Sequence, residues 1–179
     1  VASGNSCNWQ STLHLRDREE HTCACFSSTG HRAFVGTNQG RVIAIDMFTG
    51  NEVREFQHGF VNRVADVATD QRDRFVVCGV GNSVRLFNAA TGKYICSYTF
   101  SKTVQKLTCL LVPGPQLKVW VATCKGFSAV RFRGGGTKPD IHTIVDTTST
   151  DTCHLQARQD SETGKWSVVW VRVTDYVVL

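Results

Sequence analysis

The sequence predicts an all-β fold made of repeated small sheets. The first indication is the repetition itself, because Asp46-Met-Phe-Thr-Gly50 recurs 42 residues later as Asn88-Ala-Ala-Thr-Gly92. The second is that each copy contains short alternating runs rich in Val, Ile, Phe and Thr, the pattern of half-buried strands. The third is that Gly or Asn separates these runs, as tight turns require. A repeat of roughly 40 to 45 residues with four antiparallel strands is typical of a β-propeller blade.

The four runs of the first copy predict strands at 22–27, 32–37, 41–46 and 52–56. A shift of 42 brings Val35 onto Val77 and Val42 onto Val84 without a gap. A third, weaker copy begins near Leu107, and a fourth begins at Thr152. We therefore expect blades at 21–58, 59–101 and 102–146 and an incomplete blade at 147–179. The segment 1–20 is expected to hold the final strand of a preceding blade.

Residues 23–46 resemble, position for position, the consensus of the WD-repeat family, and Ser83-Val-Arg-Leu-Phe-Asn88 resembles its third strand. The resemblance covers about residues 21–135 well and the remainder loosely. Ile45 and Phe87 stand where the family has its signature Trp, so we expect both to be buried between neighbouring sheets. The buried hydrogen-bond network of that family is expected to be missing, with packing in its place. Residues 40–56 also resemble a blade of bacterial quinoprotein-type propellers, but neither Val53 nor Arg54 supplies their tryptophan docking motif.

Eight cysteines could indicate a secreted, disulfide-bonded chain, but their spacing does not. There is no Cys-x-x-Cys pair, and most lie inside apolar alternating runs, as buried free thiols do. We expect eight free thiols and a reducing compartment, the cytoplasm or alternatively the nucleus. No apolar run of about 18 residues predicts a membrane span, and the first residues lack the pattern of a signal peptide.

The sequence offers no convincing catalytic or metal-binding set. His21, Cys23 and Cys25 alternate on one strand, about 7 Å apart at Cα, whereas tetrahedral zinc prefers ligands bent around a turn. Cys153 and His154 are adjacent on a strand and face opposite ways, which does not suit a nucleophile and its base. The three consecutive glycines at 134–136 lack the spacing of a phosphate-binding P-loop. We therefore predict no enzyme activity, no cofactor and no bound metal.

Strand alternation sends the turns of a blade to two rims. By resemblance to the WD-repeat family, the turns between the second and third strands, together with the connections between blades, carry partner contacts. The matching residues are Asn38, Gln39, His58, Phe60, Asn82, Lys102 and Lys125. Phe60 is either an apolar anchor for a protein partner or a residue buried beneath the next blade.

These observations predict a non-catalytic scaffold for protein–protein interaction within a larger assembly or a longer polypeptide. RNA or another polyanion is an alternative partner, because residues 61–138 hold 12 Lys and Arg against 3 Asp. A membrane partner is not expected. Further chain, a second copy of this chain, or pairing of the first strand with the last would complete the propeller.

Overall fold

The computed structural model describes residues 16–56, 59, 62–111, 117–123, 126–132, 140–146, 152–159, 166–172 and 176–178. These residues form β-strands and turns and contain no helix, so the predicted all-β class is confirmed. In this part of the chain, no helix is long and apolar enough to cross a membrane.

The strands form four antiparallel sheets, each following chain order, which we call blades 1 to 4. Blade 1 contains β1 (His21–Phe26), β2 (Arg32–Thr37), β3 (Val42–Asp46) and β4 (Glu52–Phe56). Blade 2 contains β5 (Val64–Thr69), β6 (Phe75–Val80), β7 (Ser83–Asn88) and β8 (Tyr94–Thr99). Blade 3 contains β9 (Val104–Leu111), β10 (Leu117–Thr123), β11 (Gly126–Phe132) and β12 (Asp140–Asp146). Blade 4 contains β13 (Thr152–Gln159), β14 (Trp166–Arg172) and β15 (Tyr176–Val178).

The first strands of the blades lie side by side. β1 packs against β5, β5 against β9, and β9 against β13. Because each blade continues away from its first strand, the sheets stack face to face like the blades of a propeller. In blade 1 the observed strand ends lie within one residue of those expected from the sequence.

Three phenylalanine rings pack together among aliphatic side chains in the interface between blades 1 and 2. Phe34 and Phe56 of blade 1 meet Phe87 of blade 2, and all three are almost completely buried. The ring centroids of Phe34 and Phe56 are 6.0 Å apart, and those of Phe56 and Phe87 are 5.7 Å apart, both edge to face. Such pairs add to the free energy gained from burial alone. The interface between blades 2 and 3 is mainly aliphatic, with Val84 inaccessible to solvent, and it also includes the buried ring of Phe132.

Gly36 lets the two first blades approach closely. A Cβ atom at this position would lie 2.6 Å from both Cys23 Sγ and Val64 Cγ1. We expect Gly36→Ala to lower the free energy of unfolding by about 1–3 kcal/mol, because the added methyl overpacks the interface. Chemical denaturation measures this loss. In a Cys23→Ala/Val64→Ala background, which lacks Cys23 Sγ and Val64 Cγ1, Gly36→Ala should cost less than in the parent chain, and an equal cost in both backgrounds would contradict the contact.

The strand pairing corrects the ungapped repeat of 42. Val35 pairs with Ile43 in blade 1, whereas Cys78 pairs with Arg85 in blade 2. The third strands are thus 42 residues apart, but the second strands are 43 apart, so Val35 corresponds to Cys78 and not to Val77. The cause is the turn: Asn38-Gln-Gly40 links β2 to β3, while only Gly81-Asn82 links β6 to β7. Gly40 (φ 85°) and Gly81 (φ 58°) supply the left-handed backbone that each turn needs.

The prediction for the two signature positions is correct for Phe87 and wrong for Ile45. Phe87 is 0% exposed against blade 1. Ile45, 42 residues earlier, points to the opposite side of blade 1 from blade 2 and is only partly buried. Ile45 pairs with Ala33 on β2, and Ala33 pairs with Phe26 on β1, which is 66% exposed. Burial at Phe87 depends on the blade stacked in front of it, which blade 1 provides for blade 2.

Candidate functional site: the two rims of the blades

The ends of blades 1 and 2 form two rims. The first rim consists of the β2–β3 and β6–β7 turns, the segment Arg16–Glu20 and the β8–β9 connection. The second rim consists of the β1–β2, β3–β4, β5–β6 and β7–β8 turns. Because the strands are antiparallel, the two rims lie at opposite ends of the sheets.

On the first rim, Asn38 and Gln39 hold the chain that enters β1. The backbone of Asn38 donates to the Glu20 carbonyl (2.9 Å), and its side-chain oxygen accepts from the Glu20 N–H (3.0 Å). Gln39 Nε2 donates to the Asp17 carbonyl (3.0 Å). Both predicted partner-binding side chains therefore take part in hydrogen bonds within the chain itself.

A buried ion-pair cluster lies beneath this segment. Arg41 Nη1 is 2.7 Å from Glu19 Oε2, and its Nη2 is 3.2 Å from Glu52 and 3.1 Å from Glu55. The Glu19 side chain is 0% exposed and that of Arg41 is 9% exposed. Burial tends to raise the pKa of Glu19, but the Arg16 N–H, the Thr37 side chain and the Arg41 guanidinium together outweigh burial and lower that pKa from its usual value of 4.5. The cluster fastens the incoming segment across β3 and β4.

Asn82 and Lys102 also lie on the first rim. Asn82 Nδ2 donates to the Phe100 carbonyl (2.9 Å), and the Phe100 N–H donates to the Asn82 carbonyl (2.7 Å). Asn82 itself remains exposed, and Lys102 is partly exposed. His58, Phe60 and Lys125 lie outside the described residues.

On the second rim, blades 1 and 2 use the same turn geometry. Asp46 Oδ1 accepts from the N–H of Phe48 and of Thr49, each at 2.9 Å, and Asn88 Oδ1 accepts from the N–H of Thr91 at 2.9 Å. These bonds lower the pKa of Asp46, the Thr49 and Phe48 N–H groups contributing most. The repeated Asp/Asn-x-x-Thr-Gly sequence is thus a turn signature.

Four of the described cations in the predicted basic stretch do not form one exposed surface. Arg74 pairs with Asp70 at 3.2 Å and lies over the Phe75 ring, and Arg85 is only 7% exposed between sheets. Lys118 and Arg131 are directly opposite each other on β10 and β11, both partly buried. Burial, together with the charge of Arg131, lowers the pKa of Lys118. A polyanion follows a continuous cationic surface, which these four residues do not form.

The described cysteines pack as core residues. Cys23 and Cys25 lie against the core between blades 1 and 2, and Cys78 is buried within it. Burial raises the pKa of Cys25 and of Cys78 to about 12 in each case. Among the residues that the structure describes, no group of His, Cys, Asp and Glu is arranged to hold a metal ion.

We expect Cys78 to resist alkylation in the folded protein at neutral pH, because the thiolate is the reactive form and burial suppresses it. Denaturation without reductant should then expose eight titratable thiols, the number in the sequence. Mass spectrometry after labelling before and after denaturation measures both. Four or fewer thiols per chain, or stoichiometric zinc by elemental analysis, would contradict the prediction.

Comparison with known proteins identifies the class of fold as a β-propeller. No protein-family model matches the chain, and no curated protein matches it in sequence. Among solved structures, the chain is similar to the β-propeller domain of Cps50 (Swd1) from Myceliophteria thermophila, at 16% identity and TM-score 0.63, covering 84% of this chain and 49% of that domain. It is also similar to U3-55K, at 12% identity and TM-score 0.65, covering 94% of this chain and 53% of that one.

A third similar structure is the computationally designed Ika4 protein, at 17% identity and TM-score 0.64, with 94% of both chains covered. The chain thus spans about half the length of the Swd1 domain and of U3-55K. At these identities the likeness shows the fold.

Proposed function

We propose that the chain is a non-catalytic, WD-repeat-type scaffold that mediates protein–protein interaction within a larger assembly or a longer polypeptide. The observation that carries the proposal is the hydrogen bonding of the rims: polar side chains join the turns to neighbouring parts of the chain, and other side chains remain exposed beside them. A surface held in one conformation loses little conformational entropy on binding. Two proteins of similar fold, the Swd1 propeller domain and U3-55K, support a propeller scaffold by analogy.

The proposal includes the unit boundaries 21–58, 59–101, 102–146 and 147–179, the last incomplete, and a cytoplasmic location. It also includes completion of the propeller by further chain or by a second subunit. Phe26, on the face of blade 1 that points away from blade 2, is 66% exposed and supports this completion, although Val35 and Ile43 on the same face are buried. Repeat units of this kind need neighbours to bury such faces.

Photo-crosslinking tests the scaffold function. Benzoylphenylalanine at Lys102 or Asn82 on the first rim, or at Thr49 or Arg72 on the second, should crosslink to a discrete protein in cells of the natural source. The same group at Ile95, on the exposed outer strand β8, is the control. The identified protein is then produced recombinantly, and its affinity is measured at two salt concentrations.

A protein partner should lose little affinity between about 50 and 200 mM salt, whereas a polyanion making several phosphate contacts would lose about 10³-fold or more. Crosslinks to RNA at the rims, or a salt dependence of that size, would overturn the proposal. Crosslinks equal in yield at Ile95 and at both rims would overturn it as well.

A further inference from the structure

An aromatic side chain stands exposed on the second rim of blade 1. Phe48 lies in the β3–β4 turn and is 66% exposed. Its ring is 5.1 Å from that of His31 in the neighbouring β1–β2 turn, at an interplanar angle of 56°. The Met47 N–H donates to the His31 carbonyl at 2.9 Å, which fixes the two turns to each other. Phe48 therefore projects from a rigid base.

The turn does not need this aromatic residue. Blade 2 builds the same turn with Ala90 at the matching position, and Ala90 is also exposed. The Gly50 N–H donates to Asp46 at 2.8 Å and the Gly92 N–H donates to Asn88 at 2.8 Å, so both turns close identically. An exposed Phe that local structure does not require is a candidate anchor for a partner.

The second rim continues from blade 1 onto blade 2. Ser28, in the β1–β2 turn, donates through its N–H (2.8 Å) and its hydroxyl (2.7 Å) to the Asp73 carboxylate in the β5–β6 turn. Asp73 takes the left-handed conformation (φ 52°) that Gly30 (φ 73°) takes in blade 1. Two hydrogen bonds to one carboxylate hold the turns in a fixed relation.

The exposed charge on this part of the second rim is positive. Arg32, Arg72 and Lys93 are exposed there. The carboxylates of this rim are less exposed and hydrogen-bonded: Asp70 is 0% exposed and accepts from two backbone N–H groups, whereas Asp46 and Asp73 are partly exposed and accept the turn bonds already described. Arg32 lies opposite Asp46 and interacts with its charge, so Arg72 and Lys93 are the cations more available to a partner. Cations around an exposed ring complement an acidic segment that carries an apolar side chain.

We propose that the second rim of blades 1 and 2 binds an acidic segment of a protein partner, with Phe48 contacting an apolar side chain of that segment. Arg32, Arg72 and Lys93 attract its carboxylates and set its orientation. This inference rests on the proposed scaffold function and adds to it a surface and a partner chemistry, at the rim opposite to the residues predicted from the sequence.

Selection from a random-peptide phage library against the whole chain tests the proposal. The selected peptides should combine Asp or Glu with an aromatic or aliphatic residue. A synthetic, fluorescein-labelled copy of the most enriched peptide then serves as the probe in fluorescence anisotropy. We expect Phe48→Ala and Arg72→Glu each to weaken its binding at least about tenfold, as loss of a central anchor does. Ile95→Ala removes another exposed apolar side chain, 38% exposed on β8 and outside both rims, and should leave the affinity unchanged.

The variants should stay folded, because Ala90 already occupies the Phe48 position in blade 2 and Arg72 is exposed. Thermal unfolding of each variant checks this before binding is measured. Selected peptides without acidic residues, or full binding by Phe48→Ala, would overturn the inference. Peptides whose binding is lost in Asn82→Ala but kept in Phe48→Ala would refute this surface while supporting a scaffold that uses the first rim. Displacement of the probe by single-stranded RNA homopolymer would refute both, and so would the failure to select any peptide.

Discussion

Replacing Arg41 by Met is expected to lower the free energy of unfolding by about 3–5 kcal/mol at pH 7, because it leaves a buried carboxylate without its cation. Glu19 is 0% exposed and bonded to Arg41 at 2.7 Å. Met keeps most of the side-chain volume, so the loss reports the charge more than the packing. Urea denaturation followed by circular dichroism measures it.

The pH dependence separates this electrostatic loss from a packing defect. The folded pKa of Glu19 lies below 4.5, so its ionised form stabilises the native protein above pH 4.5 and the contribution disappears as the pH falls through the folded pKa. Without Arg41, burial favours the protonated carboxyl. The difference in the free energy of unfolding between the parent chain and the Arg41→Met variant should therefore become smaller as the pH is lowered from 7 toward 4.5. A difference that stays constant would indicate lost packing instead.

The double variant Arg41→Met/Glu19→Leu provides the matched control. Removing both charges replaces a buried pair by apolar side chains, which is often neutral for stability. We expect the double variant to recover most of what the single variant loses. No recovery would show that Glu19 does not depend on Arg41.

Replacing Phe87 by Ala is expected to cost about 3–5 kcal/mol, the range for a buried Phe truncated in a core. Phe87 is 0% exposed and contacts both Phe56 and Tyr94, with ring centroids 5.7 and 5.9 Å away. The cavity would open in the middle of the interface between blades 1 and 2. Differential scanning calorimetry measures the shift in the melting temperature.

Ile45→Ala is the control for Phe87→Ala, because the two residues occupy the same position in successive blades. Ile45 is only partly buried, so its truncation should cost clearly less. Equal losses at the two positions would mean that another sheet covers Ile45 in solution. An unchanged melting temperature for Phe87→Ala would contradict the register of β7.

The repeat predicted most of the fold because it reflects local chemistry. The alternation of residues and the Asp/Asn-x-x-Thr-Gly turns depend on neighbours in sequence, and the strands of blade 1 follow them closely. The correspondence between β2 of blade 1 and β6 of blade 2 was harder to predict from the sequence. Because the β6–β7 turn has one residue fewer than the β2–β3 turn, the strands before these turns are 43 residues apart instead of 42. Val35 could be aligned with Val77 or with Cys78, and both are apolar, so the sequence does not distinguish the two alignments.

The rim contacts could not be predicted in the same way. A polar side chain in a turn looks the same in sequence whether or not it also holds another part of the same chain, as Asn38 does. The pairing of Arg41 with Glu19 joins residues that are 22 apart in sequence, and nothing in the local pattern marks it. Full burial of Ile45 would require another sheet packed against its face of blade 1, and the pattern of its own strand does not reveal whether such a sheet is present. The sequence does carry a signal for Phe48, because an aromatic residue stands where the second copy of the turn has Ala90.

The unequal hairpins of blades 1 and 2 bear on how such a chain diversifies. One blade turns in three residues and the other in two, yet the apolar faces of both remain aligned with their neighbours. Insertions and deletions at these turns are therefore nearly neutral for the stack of sheets. Selection can lengthen, shorten or replace the turns in one blade without having to re-evolve the next. A duplicated gene segment could in this way acquire a different binding loop at each repeat while every copy keeps the same interior.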